Sequence, residues 1–265
     1  MSASRGFALI AVLWTVTALA GIVGLAVGAA RLGQQESVNR IALARGRWAA
    51  EACLAIAQAR WAQHRLRDTT ATDLGRGTRC TWRLADPTAR LNVNTADPAD
   101  VAALLCAPRA PRCPVDTIVA LRRAQPFTDL EQVAALPDVD SARLALFTVD
   151  GPGSVNVNAA QAAVLLAIPG LTPEAAVRLQ ERRALGRPIA SLDALAAHLS
   201  ADARAALLAH YADLARQVTF AAPVLTLTVR GWVDGVGAAD RLDATIEVLA
   251  VPLPDRLAMV RRRMS

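Results

Sequence analysis

The 265-residue chain contains no lysine, so all 29 of its basic residues are arginine. Chemistry that needs an amine side chain is thereby excluded, which removes P-loop, protein-kinase and Schiff-base mechanisms. The three histidines, His64, His198 and His210, do not stand beside a nucleophile, and Gly151-Pro152-Gly153-Ser154 is not a nucleophile elbow. Neither a Cys-x-x-Cys nor a His-x-x-x-His spacing occurs, so zinc has no recognisable ligand set. An intact EF-hand loop is also missing, and no metal ligand is assigned, although Asp138, Asp140, Asp150, Asp234, Asp240 and Asp243 carry suitable oxygen atoms. Paired acid and base roles are not assembled anywhere, so the expected work is binding and not catalysis.

What the chain has in excess is apolar sequence: 54% of residues are hydrophobic and the mean hydropathy is +0.30, high for a chain wholly in water. Arginine outnumbers acid, 29 against 23, for a formal charge of +6. The apolar excess has one main source. Residues Phe7 to Ala30 read FALIAVLWTVTALAGIVGLAVGAA without a charge. As a helix rising about 1.5 Å per residue this run is about 36 Å long, enough to cross a hydrocarbon core of about 30 Å. It is longer than the apolar part of a secretory signal and is not followed by a small-residue cleavage site, so it reads as a retained membrane helix. Val38, Ile41, Ala42, Trp48, Ala49, Ala52 and Ile56 then recur at three- and four-residue spacing. One helical stripe therefore continues to about Trp61, within a stalk region assigned to residues 31–67. Arg31, Arg40, Arg45 and Arg47 follow the span and by arginine counting alone place that side in the cytoplasm.

The residues before the span outweigh that count. Ser4-Arg5-Gly6 followed at once by Phe7 resembles a type IV prepilin leader. The resemblance implies cutting after Gly6 by a prepilin peptidase, N-methylation of Phe7, retention of the apolar helix in the inner membrane and a periplasmic globular part. Pilins carry a glutamate at the fifth mature position, where this chain has Ala11. In that family the glutamate of an incoming subunit neutralises the terminal ammonium of the subunit above it, and a buried unpaired ammonium is costly. A subunit with alanine there adds poorly beneath an existing filament, yet its own Phe7 amine receives the next subunit. That describes a first subunit, at the tip. The fragment from Gly6 to Trp14 resembles the K-type minor pseudopilins of the type II secretion system (general secretion pathway protein K), which lack this glutamate.

Further along, the polar stretch 68–73 with Gly75 and Gly77 marks a loop. Thr81–Leu84 and Ala89–Val93, separated by Asp86-Pro87, read as a short hairpin, with residues 68–96 as the first part of a sheet. An internal repeat follows: Leu91-Asn92-Val93-Asn94-Thr95-Ala96 recurs as Val155-Asn156-Val157-Asn158-Ala159-Ala160. Each copy introduces helices, and two modules are expected at about 97–150 and 155–215. Asn94 and Asn158 can cap the helices that follow them, Thr172 with Pro173 starts another, and Thr128 with Glu131 has capping-box spacing.

These repeats resemble helix-hairpin-helix modules, including those of periplasmic DNA receptors. Such hairpins hold phosphate on the exposed amides of a Gly-x-Gly turn. Here the second copy keeps Gly170 but has Thr172 where the second glycine belongs, and the first has Cys106-Ala107-Pro108-Arg109-Ala110-Pro111. Nucleic acid is therefore not an expected partner, although Arg178, Arg182, Arg183 and Arg187 are available to phosphates; a pilin-anchored DNA-uptake module is the alternative. K-type pseudopilins are similar here too, with a mostly helical domain inserted into the pilin body.

Residues 224–233 and 242–249 alternate as two strands of a long hairpin through Asp234-Gly235-Val236-Gly237, and 251–265 reads as a frayed, solvated tail. Cys53, Cys80, Cys106 and Cys113 are even in number, and in a periplasm they can form two disulfides whose connectivity the sequence leaves open. Closing Cys106 with Cys113 contributes about 2.5 kcal/mol in the chain-entropy model and leaves Cys53 with Cys80 to tie stalk to strand. The expected fold is α+β: a long transmembrane and stalk helix, a small antiparallel sheet, and a helical insertion at 97–215. The resemblance implies as partners other minor pseudopilins in a tip complex, the major pseudopilin, the prepilin peptidase and the inner membrane. It requires no cofactor, and some relatives bind calcium.

Overall fold

The computed structural model describes residues 3–64, 66, 71–106, 113–234 and 243–264, with side chains from Ile10 onward. The expected loops at 68–70, 107–112 and 235–237, and Asp240, lie outside the described residues.

Helix α1 runs unbroken from Ala3 to Ala62, about 90 Å at the usual rise. From Ile10 to Ile41 every side chain is exposed, and burial begins at Ala42. The buried stripe is Ala42, Ala49, Ala50, Cys53, Leu54 and Ala57, mostly small residues that let the helix lie close to a sheet; of the expected stripe only Ala42 and Ala49 belong to it, and Val38, Ile41, Trp48 and Ala52 are exposed. Beneath it five antiparallel strands, β1 (Thr72–Gly75), β2 (Thr78–Ala85), β7 (Leu225–Val233), β8 (Asp243–Pro252) and β9 (Leu257–Met264), stand in the order β1-β2-β7-β8-β9. Cys80, Trp82, Leu227, Val229, Ile246 and Val248 meet the helix stripe as one core. The closest approach is at Gly231, where a Cβ would stand 2.3 Å from the Ala50 amide nitrogen and 2.4 Å from the Gly46 carbonyl oxygen. Any side chain there lifts β7 off the helix.

Two expectations about the sheet are corrected. Residues 89–93 do not fold back on 81–84: β2 pairs with β1 through the turn at Gly75-Arg76-Gly77, and β7 is its other neighbour. All three turn residues have positive φ, which two glycines permit at no steric cost. The chain leaves the sheet because Asp86 accepts from the Thr88 amide and caps a 3-10 turn at Pro87–Ala89. Residues 251–265 are likewise not a frayed tail. They include edge strand β9, paired with β8 from Ile246↔Met264 to Pro252↔Leu257.

Between β2 and β7 the chain forms a separate core from two repeats. The first contains β3 (Leu91–Asn92), α2 (Pro98–Leu105), α3 (Val115–Ala124), α4 (Glu131–Ala134) and β4 (Phe147–Thr148). The second contains β5 (Val155–Asn156), α5 (Ala162–Ala167), α6 (Pro173–Ala184), α7 (Leu192–Ala196), α8 (Ala201–Ala209), α9 (Tyr211–Gln217) and β6 (Val218–Thr219). Each is closed by a parallel pair, β3 with β4 and β5 with β6. The insertion thus leaves after Ala85 and returns by Leu225, wider than 97–215, because the Asn-x-Asn strands belong to the repeats.

Candidate functional site

Gly6 and Phe7 lie within the helical backbone of α1, and Ala11 is exposed on its apolar surface. Thr15 and Thr17 return their hydroxyls to the Val12 and Leu13 carbonyls, 2.8 Å each, so neither polar group faces the apolar surroundings unpaired. Ile10–Ala62 contains a window long and apolar enough to cross a membrane, none of it buried by the rest of the chain. The exposed apolar surface extends past the span to Val38, Ile41 and Trp48, the last 76% exposed. Soluble monomers rarely present so much apolar area, and lipid or neighbouring helices are what such a surface suits.

The globular part is fastened to this helix. Cys53 and Cys80 form a disulfide with both residues fully buried, joining α1 to β2 across 27 positions. Cys106 and Cys113 form the second, linking the end of α2 to the approach to α3. Trp61 donates to the Leu253 carbonyl at 2.7 Å, and the Arg60 guanidinium lies 4.9 Å from the Trp82 ring centre. The terminal arginines bind three bodies together: Arg261 pairs with Asp150 at 2.5 Å, Arg262 with Glu51 of α1, and Arg263 donates to the Thr128 carbonyl.

Within the repeats the asparagines do something other than capping. Asn94 accepts from the Phe127 amide at 2.8 Å and donates to the Phe127 carbonyl at 3.0 Å. Asn158 accepts from the Ile189 amide at 2.9 Å and donates to the carbonyls of Ile189 and Phe220. A side-chain amide carries donor and acceptor in the geometry of a peptide group, so each asparagine acts as one residue of an absent strand. The expected helix caps at these positions are thereby overturned, since the N-cap positions of α2 and α5 are Asp97 and Gln161, neither with a side-chain cap bond. The preceding asparagines have a role that no capping argument reaches. Asn92 and Asn156 are buried and each accepts from the amide two residues on, forming paired Asx turns; their recurrence in both copies was the available signal. Thr172 does cap α6, with Pro173 at its first position. Thr128 pairs with Gln132 instead of Glu131, and Asp129 receives the Gln132 amide.

Arginines turn inward in the same pattern. Arg122 donates to the carbonyls of Val93 and Ala96, and Arg183 to those of Ala159 and Ala160. Arg143 and Arg204 similarly serve main-chain oxygens near the ends of α2 and α7. Burial lowers the Arg122 pKa. Arg178 pairs with Glu181, so two arginines that sequence offered to phosphates have partners within the chain. Gly170 has φ +89°, and a Cβ there would meet His210 at 2.7 Å. The hairpin glycine thus serves close packing of α9's approach.

The aspartates with free oxygens in the sequence are not brought together. Asp140 pairs with Arg143, Asp150 with Arg261, Asp234 with Arg79 and Asp243 with Arg230, while Asp138 is exposed at φ +63°. Among the described residues no three acid, histidine or cysteine side chains converge. The acid that stands apart is Asp100, 4% exposed in α2, whose carboxyl is pushed up to about 6 by burial and, secondarily, by Asp97. Glu174 shifts the opposite way because Ser200 donates both its hydroxyl and its amide to that carboxylate.

No protein-family model matches the sequence, and no curated protein matches it. Its structure is similar to a chain of the crystal structure of the GspK-GspI-GspJ complex from the enterotoxigenic Escherichia coli type 2 secretion system. The likeness covers 89% of this chain and 99% of that one at a TM-score of 0.53, with 12% identity. At that identity the likeness is one of fold. The chain therefore has a pilin-like α+β fold of the kind found in a type 2 secretion complex.

Proposed function

We propose that the chain is a K-type minor pseudopilin: an inner-membrane subunit, processed after Gly6, that joins two other minor pseudopilins in a tip complex and starts the periplasmic pseudopilus of type II secretion. The observation that carries this reading is the fold likeness over 99% of a chain in a three-protein secretion complex. The alanine at position 11 supports the tip position by the charge argument given for the leader. Trp14 and the small residues Gly21, Gly24 and Gly28 are exposed along the span, suited to close packing of N-terminal helices. Its work is assembly and not catalysis, and the two disulfides suit a periplasmic location.

The test has two parts. Gly6→Ala should block processing by a prepilin peptidase, read as a shift of the terminal fragment mass in cells that coexpress the enzyme. The full chain in detergent should sediment as a stoichiometric complex with two minor pseudopilins and show no affinity for duplex DNA at physiological salt. Salt-sensitive DNA binding without a protein complex would overturn the reading in favour of DNA uptake.

A further inference from the structure

The two repeats enclose a cleft of about 450 Å³. Asp97, Asp100, Ser154 and Arg216 contribute polar groups to its lining, and Leu91 and Ile168 contribute apolar surface. The Asp100 side chain is 4% exposed and accepts no hydrogen bond from any described residue. Carboxylates that buried are ordinarily paired. The nearby cation does not serve it, because Arg216 is paired with Asp213 on its own helix. Among the described residues nothing serves this carboxyl on the wall of the cleft, and such groups cluster where a ligand supplies a partner.

We propose that this cleft binds a guanidinium or alkylammonium group, with Asp100 and Asp97 facing the cation and Leu91 and Ile168 lying along its carbon chain. A divalent metal fits less well, since only two acids are present and apolar side chains share the lining. The charged groups facing the cleft are Asp97, Asp100 and Arg216. Because Asp100 titrates near 6, affinity should fall about tenfold between pH 7.5 and pH 5.

Isothermal titration of the full chain in detergent, with agmatine and with the peptide acetyl-Val-Arg-Leu-amide, tests this. Saturable binding is expected, weakened about tenfold by Asp100→Asn and strengthened about two- to threefold by Arg216→Gln, which removes a competing positive charge. A gain of affinity cannot arise from misfolding, so the second variant is decisive even if the first folds poorly. Tighter binding of the peptide than of agmatine assigns the cation to a protein segment, and equal binding assigns it to a free amine. The absence of saturable binding by either probe, unchanged affinity in Asp100→Asn, or saturation by calcium with no response to agmatine would overturn the proposal.

Discussion

At the scale of single residues, side chains take over main-chain roles. Asn158 satisfies one amide and two carbonyls, from stretches 31 and 62 positions away. Removing it leaves partly buried backbone groups unpaired, which costs more than the hydrogen bonds themselves contribute. Asn158→Ala should lower the unfolding free energy by about 2–3 kcal/mol, read from urea melts of the full chain. Asp100 behaves oppositely. Its folded pKa is raised, so the native state holds the proton more tightly than the unfolded chain. Its penalty is absent at low pH and grows as pH rises from about 4 to about 6. Asp100→Asn should therefore be more stable at pH 7 by about 1–2 kcal/mol, allowing for water in the cleft, with the gain vanishing below about pH 4. An unchanged difference across that range would show that burial does not shift this carboxyl.

At the scale of elements, a long helix is held to a sheet at one end only. From Ile10 to Ile41 every side chain of α1 is exposed among the described residues, and from Ala42 on small residues, Gly231 and one disulfide fix the contact. The disulfide closes 27 positions, worth about 3.5 kcal/mol in the chain-entropy model. Cys53→Ser with Cys80→Ser should lower stability by about that amount, whereas Cys106→Ser with Cys113→Ser should lower it by about 2.5 kcal/mol. The ordering of the two thermal midpoints is the check. Periodicity made α1 legible, because apolar and then amphipathic spacing is local information. It could not reveal β9, since Arg261-Arg262-Arg263 reads as a solvated run until Asp150, Glu51 and the Thr128 carbonyl are placed opposite it.

At the scale of the whole molecule, two cores meet where β2 and β7 are adjacent. Ala85 and Thr226 are register partners, so the insertion leaves and returns at neighbouring points, and a short turn can replace it. A chain lacking residues 87–222, closed by a Gly-Ser turn, should keep the α1 and sheet core, with Trp82 fluorescence still quenched by burial. It should fail to sediment with two minor pseudopilins. Retained complex formation would move the partner surface to the stalk and sheet.

What depends on neighbours along the chain was legible locally: the uncharged span, the continuation of its helix into the stalk, the Thr172 cap, the long C-terminal hairpin and the existence of a repeat. The resemblance at Gly6–Trp14 added the expected architecture. Contacts between residues far apart in the chain emerge only on folding. Strands of two residues such as β3 and β5 have no period to read, so residues 89–93 looked like half of a local hairpin although their partners lie at 147–148. Capping is a local act that the sequence offers to Asn94 and Asn158, whereas the segments they clamp come close only after each repeat closes. The burial of Asp100 is likewise a property of the fold, since a carboxylate in sequence carries no sign of the water it will lose.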